Sequence, residues 1–210
     1  MLFKDPFIIS PQTFQLIQQL QTIPALKEFY LVGGTSLALQ LGHRNSIDID
    51  LFTQNNFDDN ELLNILRENH DIKEIFRRKN IIISLIDNIK TDFIRHNYPL
   101  INPPVNEEGI TYISKEDIAA MKMHAIIQSG KRLKDFIDIY VLLQYLTLNQ
   151  MIAFFEKKYT YSNAMIALKA INYFDDIDEE IDPPKLLHPI SIAQIKERIQ
   201  AATLNPFITF

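Results

Sequence analysis

The chain has 210 residues, 47% of them apolar and 10% aromatic, which allows one large domain or two small ones with a full core. It has no cysteine, so disulfides and thiolate metal centres are excluded. A net charge of -5 argues against a broad, sequence-blind grip on DNA or RNA but leaves room for a nucleic acid held at one local basic patch.

The N-terminal MLFKDPFIIS is interrupted by Lys4 and Asp5 before it can form a signal-peptide core. No apolar run approaches the ~20 residues that span a bilayer. A soluble, cytoplasmic protein without a membrane partner is expected.

In chain order, Ser10-Pro11 reads as an N-cap followed by proline at the first helical position, opening a helix to about Leu20. Phe29 to Val32 is a short apolar strand. Thr35 to Leu41 is helical and stops at Gly42, a C-cap. Ile47 to Phe52 alternates apolar and acidic residues, the pattern of a half-buried strand that puts Ile47, Ile49 and Leu51 on one face. Asp58 and Asp59 introduce a helix to Glu68, with acids placed for the helix dipole. Strands come next at Ile72 to Phe76, Ile81 to Ile86 and Ile89 to Arg95, the last two joined by an Asp87-Asn88 turn.

The segment Tyr98 to Gly109 holds three prolines and a glycine and reads as a loop and domain boundary. Beyond it the texture is helical. Ser114 caps Ile118 to Ser129, and further helices run over Leu133 to Leu146, Asn149 to Lys158, Ser162 to Phe174 and Ile192 to Ala202. The expected division is therefore an α/β domain over residues 1–109 and a helical domain over residues 110–210.

The stretch LVGGTSLALQLGHRNSIDIDLF, Leu31 to Phe52, carries the chemistry. Strand alternation points Asp48 and Asp50 the same way, and two carboxylates held this close repel each other. A divalent cation resolves that conflict, and Mg2+ is commonly held by one or two carboxylates together with substrate phosphates. Gly33-Gly34 lies between a strand and a helix, where bare backbone can approach phosphate and the helix N-terminus favours anions. Thr35 and Ser36 add hydroxyls there. Taken singly, the acidic pair also fits a solvated sheet face and the glycine pair a plain turn; it is their conjunction that carries the signal.

The glycine pair, the helix and the Asp48-Ile49-Asp50 run resemble the signature of the nucleotidyltransferase superfamily, the polymerase-beta-like fold. The fuller string GGTSLALQLGHRNSIDIDLF is similar to the AbiEii/AbiGii toxin family in particular, where an Arg and a Ser precede the acidic pair as Arg44 and Ser46 do here. The resemblance runs from about Phe29 to Leu146; the residues after Leu146 match nothing. It implies an α/β nucleotidyltransferase fold, a mixed sheet with flanking helices followed by a helical C-terminal domain that completes an active-site cleft. It also implies a third carboxylate on a later strand. Asp92 in IKTDFIRH is the best candidate, with Asp87 the alternative in turn position.

A second stretch, KMHAIIQSGKRLKDFIDIYVLL, resembles the family's later motif and marks Lys122, Asp135 and Asp138 for nucleotide binding. Lys122 borders the apolar stripe of Ile118, Met121 and Ala125, so its ammonium is expected at the edge of the packed face, where it can bind a triphosphate as a point charge. The plain alternative is a solvated flank with Lys131–Asp135 and Lys134–Asp138 pairs. The histidines show no zinc spacing, and the Arg77-Arg78-Lys79 run reads as a solvated hairpin end or a contact for an acceptor nucleic acid.

The implied reaction moves a nucleoside monophosphate from an NTP to the hydroxyl of an acceptor, tRNA or protein, in a bacterial toxin–antitoxin or phage-defence setting with an antitoxin partner. Asp48, Asp50 and Asp92 are its catalytic residues and ligands to two Mg2+ ions. Gly33, Gly34, Thr35, Ser36, Arg44 and Lys122 serve the phosphates. A non-catalytic nucleotide-binding or interaction module is the alternative, and the orientation of Asp92 relative to the acidic pair separates the two. A glycosyltransferase using its acidic pair on a nucleotide sugar ranks lower, because it leaves the glycine pair unexplained.

Overall fold

The computed structural model describes residues 1–210. The chain forms two compact units, residues 1–99 with 104–113 and residues 100–103 with 114–210.

The first unit is a mixed sheet with helices. Helix α1, Pro11–Thr22, starts where Ser10 Oγ accepts the Thr13 amide at 3.0 Å. A short 3-10 turn at Pro24–Leu26 leads into strand β1, Tyr30–Leu31, and then helix α2, Gly33–Leu41. Gly42 caps α2 in the left-handed region at φ 64°, as its position predicts. Strand β2, Ile49–Thr53, precedes helix α3, Asp59–Arg67, which is capped by the Asp58 carboxylate on the Asn60 and Glu61 amides. Strands β3, Ile72–Arg78, β4, Ile81–Ile86, and β5, Ile89–Arg95, form an antiparallel run. The turn between β4 and β5 places Asp87 at φ 50° and Asn88 at φ 67°, a conformation that Asn and Asp tolerate better than most residues.

Two strands were not legible. The segment read as a loop contains β6, Val105–Glu107, which pairs antiparallel with β7, Ile110–Tyr112, across a turn with Glu108 at φ 53° and Gly109 at φ 79°. Each strand has only three residues, too few for a period to show, and Pro103-Pro104 masks their start. The sheet order is β3-β4-β5-β2-β1-β7-β6, with β2–β5 and β1–β7 parallel and the other neighbours antiparallel.

Strand alternation divides this sheet chemically. Ile49 and Leu51 of β2 and Phe93 of β5 are fully buried in one cluster with Leu16, Ile17 and Leu20 of α1 and Leu63 and Leu66 of α3. Burying one such side chain contributes about 1.5–3 kcal/mol, so this face is fixed by transfer free energy. The residues between them, Asp50, Lys90 and Asp92, project from the other face.

The second unit is helical. Helix α4, Lys115–Gln128, packs against α5, Leu133–Leu142, α6, Leu148–Lys158, and α7, Ala164–Ile171; α8, Ile192–Leu204, packs on α5. Thr147 and Ser191 each form a capping box with a Gln three residues on. A buried pair, Lys158 Nζ to Asp117 Oδ1 at 2.8 Å, ties α6 to α4. The Asp117 carboxylate also accepts the Ile101 and Asn102 amides at 2.9 and 3.3 Å, which attaches residues 100–103 to this unit.

Candidate functional site

In the first unit, α2 starts immediately after β1, with Val32 in the cap position offering no side-chain cap. The Val32 amide donates to the Asp50 carbonyl at 2.9 Å, locking the start of this helix to β2. The glycine pair then has a steric explanation. Gly33 sits at φ 68°, and a Cβ on it would lie 2.6 Å from Asp50 Oδ2. A Cβ on Gly34 would overlap the guanidinium of Arg44. The two glycines thus admit a carboxylate and a buried guanidinium to the first turn of one helix, an approach no side chain would allow.

Asp48 lies one residue ahead of β2 rather than inside it, because the strand begins at Ile49. Ile47, expected on the buried face, is 57% exposed for the same reason. Asp48 is held instead by Thr35, whose hydroxyl donates to the Asp48 carbonyl and hydrogen-bonds Ser46 Oγ at 2.8 Å. Thr35 and Ser36, expected at the phosphates, are buried with their hydroxyls engaged by the protein; Ser36 Oγ accepts from Gln40 Nε2 at 3.1 Å. Arg44 is buried too, its Nη1 donating to the Asn45 carbonyl at 3.0 Å.

Asp92 is in register with Asp50 on the parallel β2–β5 pair, so the two carboxylates stand side by side on strands about 4.8 Å apart. Asp92 is 8% exposed. Its Oδ2 receives Lys90 Nζ at 3.0 Å, while Oδ1 is buried without a hydrogen-bond partner. Burial pushes the Asp92 carboxyl above its ordinary range against the pull of Lys90, and the charge of Asp48 pushes the same way. For Lys90, burial works to lower the pKa, but the hydrogen bond and charge of Asp92, with the charges of Asp48 and Asp50, outweigh it and hold the ammonium above its usual value. Lys90 therefore feels all three acids.

Sequence reasoning missed Lys90 as part of this site, although its place two residues before Asp92 on a strand puts both on one face. Asp87 stays out: it serves the turn, accepting the Asp71 amide at 3.0 Å and His70 Nδ1 at 2.8 Å.

No group of three or more His, Asp or Glu side chains is arranged to enclose a metal ion. The donor set nonetheless suits a hard cation. Asp48, Asp50 and Asp92 offer carboxylate oxygens, one of them an orphaned buried atom, and Mg2+ completes its shell with water and substrate phosphates rather than an all-protein cage.

In the second unit, Lys122 of α4 and Asp135 and Asp138 of α5 are brought together. Lys122 Nζ lies 2.7 Å from Asp135 Oδ1 and 2.7 Å from Asp138 Oδ2. The expectation of an ammonium at the edge of the packed face is corrected here: Lys122 is 6% exposed because two buried carboxylates on the neighbouring helix draw it inward. Nor are these aspartates a solvated flank. Lys134 pairs with Asp182 instead of Asp138. His124 stacks on Tyr159 with ring centroids 4.2 Å apart, and burial lowers its pKa. The Arg77 side chain is taken by Asn60, Asp59 and Glu74.

Among proteins of known structure, the chain is similar to a Helicobacter pylori protein described as a candidate nucleotidyltransferase, at TM-score 0.59 and 15% identity, covering 93% of this chain and 96% of that one. It is also similar to MenT4, a nucleotidyltransferase toxin of Mycobacterium tuberculosis, at TM-score 0.53 and 14% identity over 89% and 81% of the two chains. At such identities the likeness shows the fold, which is that of the nucleotidyltransferases. An uncharacterized protein of Aquifex aeolicus is 32% identical over 173 residues, 80% of this chain and 84% of its own. The model of the family described as nucleotidyl transferase AbiEii toxin, type IV TA system, matches residues 15–107 and 83–202. A match of that extent decides membership: the chain belongs to the AbiEii nucleotidyltransferase toxin family of type IV toxin–antitoxin systems.

Proposed function

We propose that this protein is a metal-dependent nucleotidyltransferase that moves a nucleoside monophosphate from an NTP to a hydroxyl of tRNA or protein, held in check by an antitoxin. The observation that carries this reading is the register of Asp92 beside Asp50, with a buried carboxylate oxygen left without a partner. An interaction module has no need of a third acid beside two others. Electrostatic repulsion makes such a cluster costly unless a cation compensates it.

Asp48 and Asp50 are the residues that would hold Mg2+ against the triphosphate, and Asp92 the one serving the ion at the acceptor. The chemistry that such ions would supply there is charge neutralisation on the phosphates and a lowered pKa for the attacking hydroxyl. The acceptor oxygen then forms a bond to the α-phosphorus, the bond from that phosphorus to the bridging oxygen of pyrophosphate breaks, and the acceptor's proton is released. Backbone amides in the first turn of α2, at Gly33 and Gly34, would face the phosphates with the helix dipole behind them. Arg44, wedged against Gly34, adds fixed positive charge. Thr35 positions Asp48 through its backbone. Lys122, Asp135 and Asp138, buried and mutually paired, support a structural contribution within the second unit.

The test uses NTPs radiolabelled at the α-phosphorus, incubated with protein, bulk tRNA and Mg2+. Wild type should transfer label and Asp50→Ala should lose at least about 100-fold, the scale for removing one preorganised electrostatic group. Equal labelling by both would exclude this chemistry.

A further inference from the structure

We infer that Lys90 is a resident counter-ion of the acidic site, whose ammonium a divalent cation displaces from Asp92, so that Lys90 sets the site's affinity for that cation. The inference rests on the metal-dependent reading of the site and adds to it a competitor built into the chain.

Three observations carry it. Lys90 and Asp92 share one face of β5, and Nζ lies 3.0 Å from Oδ2, so the carboxylate already has a cation on one oxygen. Its other oxygen, Oδ1, is buried and unpartnered, so Lys90 satisfies only half of the group. The two partners also differ in freedom: the Lys90 side chain is 41% exposed and the Asp92 side chain 11%. The lysine can swing out on its flexible stem and rehydrate, whereas the aspartate is held by the sheet.

Charge decides the direction of exchange. Asp48, Asp50 and Asp92 together carry more negative charge than one ammonium can offset, and the charges of all three reach Lys90. A divalent ion compensates them better than a single positive charge does. Arg44 is no alternative mobile cation, since it is 2% exposed and wedged against Gly34. The protein thus keeps its repelling carboxylates compensated in the absence of metal, at the cost of some affinity when metal arrives.

The experiment is a Mn2+ titration of the full chain, following free Mn2+ by electron paramagnetic resonance, for wild type, Lys90→Met, Lys90→Arg and Asp50→Asn. Lys90→Met should bind Mn2+ about 2- to 5-fold more tightly than wild type, the scale of one partly exposed ion pair. Lys90→Arg, which keeps the competing charge, should stay close to wild type, and Asp50→Asn should bind far more weakly. Equal or weaker binding by Lys90→Met, with binding still lost in Asp50→Asn, would overturn the role of Lys90 and leave the metal-dependent reading standing. Absence of Mn2+ binding by wild type, or binding indifferent to Asp50→Asn, would remove that reading and this inference with it. Lys90→Gln, checked for fold by circular dichroism, supplies the same comparison if Lys90→Met folds poorly.

Discussion

Lys90 in the first unit and Lys122 in the second both lie at hydrogen-bonding distance from aspartates, 3.0 Å from Asp92 in one case and 2.7 Å from Asp135 and Asp138 in the other. Their surroundings differ. The Lys90 side chain is 41% exposed and Lys122's is 8%. The same pairing of residue types therefore makes an exchangeable charge in one place and a locked one in the other. What separates them is whether the lysine can regain water when it leaves.

Removing each lysine in turn should separate the two sites most sharply at Lys122. Lys122→Met removes the ammonium that two buried carboxylates share and should cost about 3–5 kcal/mol in urea unfolding, whereas Lys90→Met should stay within about 1 kcal/mol of wild type. Similar losses for both would mean that exposure does not separate the two sites. Gly33→Ala should have an intermediate effect. It places a side chain in the left-handed region and against the Asp50 carboxylate, and should cost about 1–3 kcal/mol by the same measurement. An unchanged midpoint there would show that the backbone around the acidic pair gives way easily.

Much of the first unit was legible because its signals are local. Strands β4 and β5 fall where alternation places them, and the turn between them is set by Asp87-Asn88. Ser10, Asp58 and Ser114 cap helices as their positions predict. The start of β2 was less clear: Ile47 continues the alternation, yet Thr35 pins the Asp48 backbone and the ladder opens only at Ile49. The hairpin of β6 and β7 was hidden by its brevity and by the prolines before it.

At the sites, nearness in sequence decided what could be read. That Lys90 and Asp92 share a face is implied by their spacing alone, although the consequence drawn from it needed the register with Asp50. The inward turn of Lys122 depends on partners 13 and 16 residues away on another helix, which no local period encodes. The steric part of the glycine pair needed the structure too, since Arg44 comes against Gly34 only in the folded chain.

The most direct measurement is anomalous scattering from crystals grown with Mn2+ and a non-hydrolysable NTP. A manganese peak is expected between the Asp48 and Asp50 carboxylates and the triphosphate, with the phosphates against the Gly33-Gly34 turn and the Lys90 ammonium withdrawn from Asp92. A triphosphate bound elsewhere, or one bound at that turn with no ion between it and the paired aspartates, would contradict it.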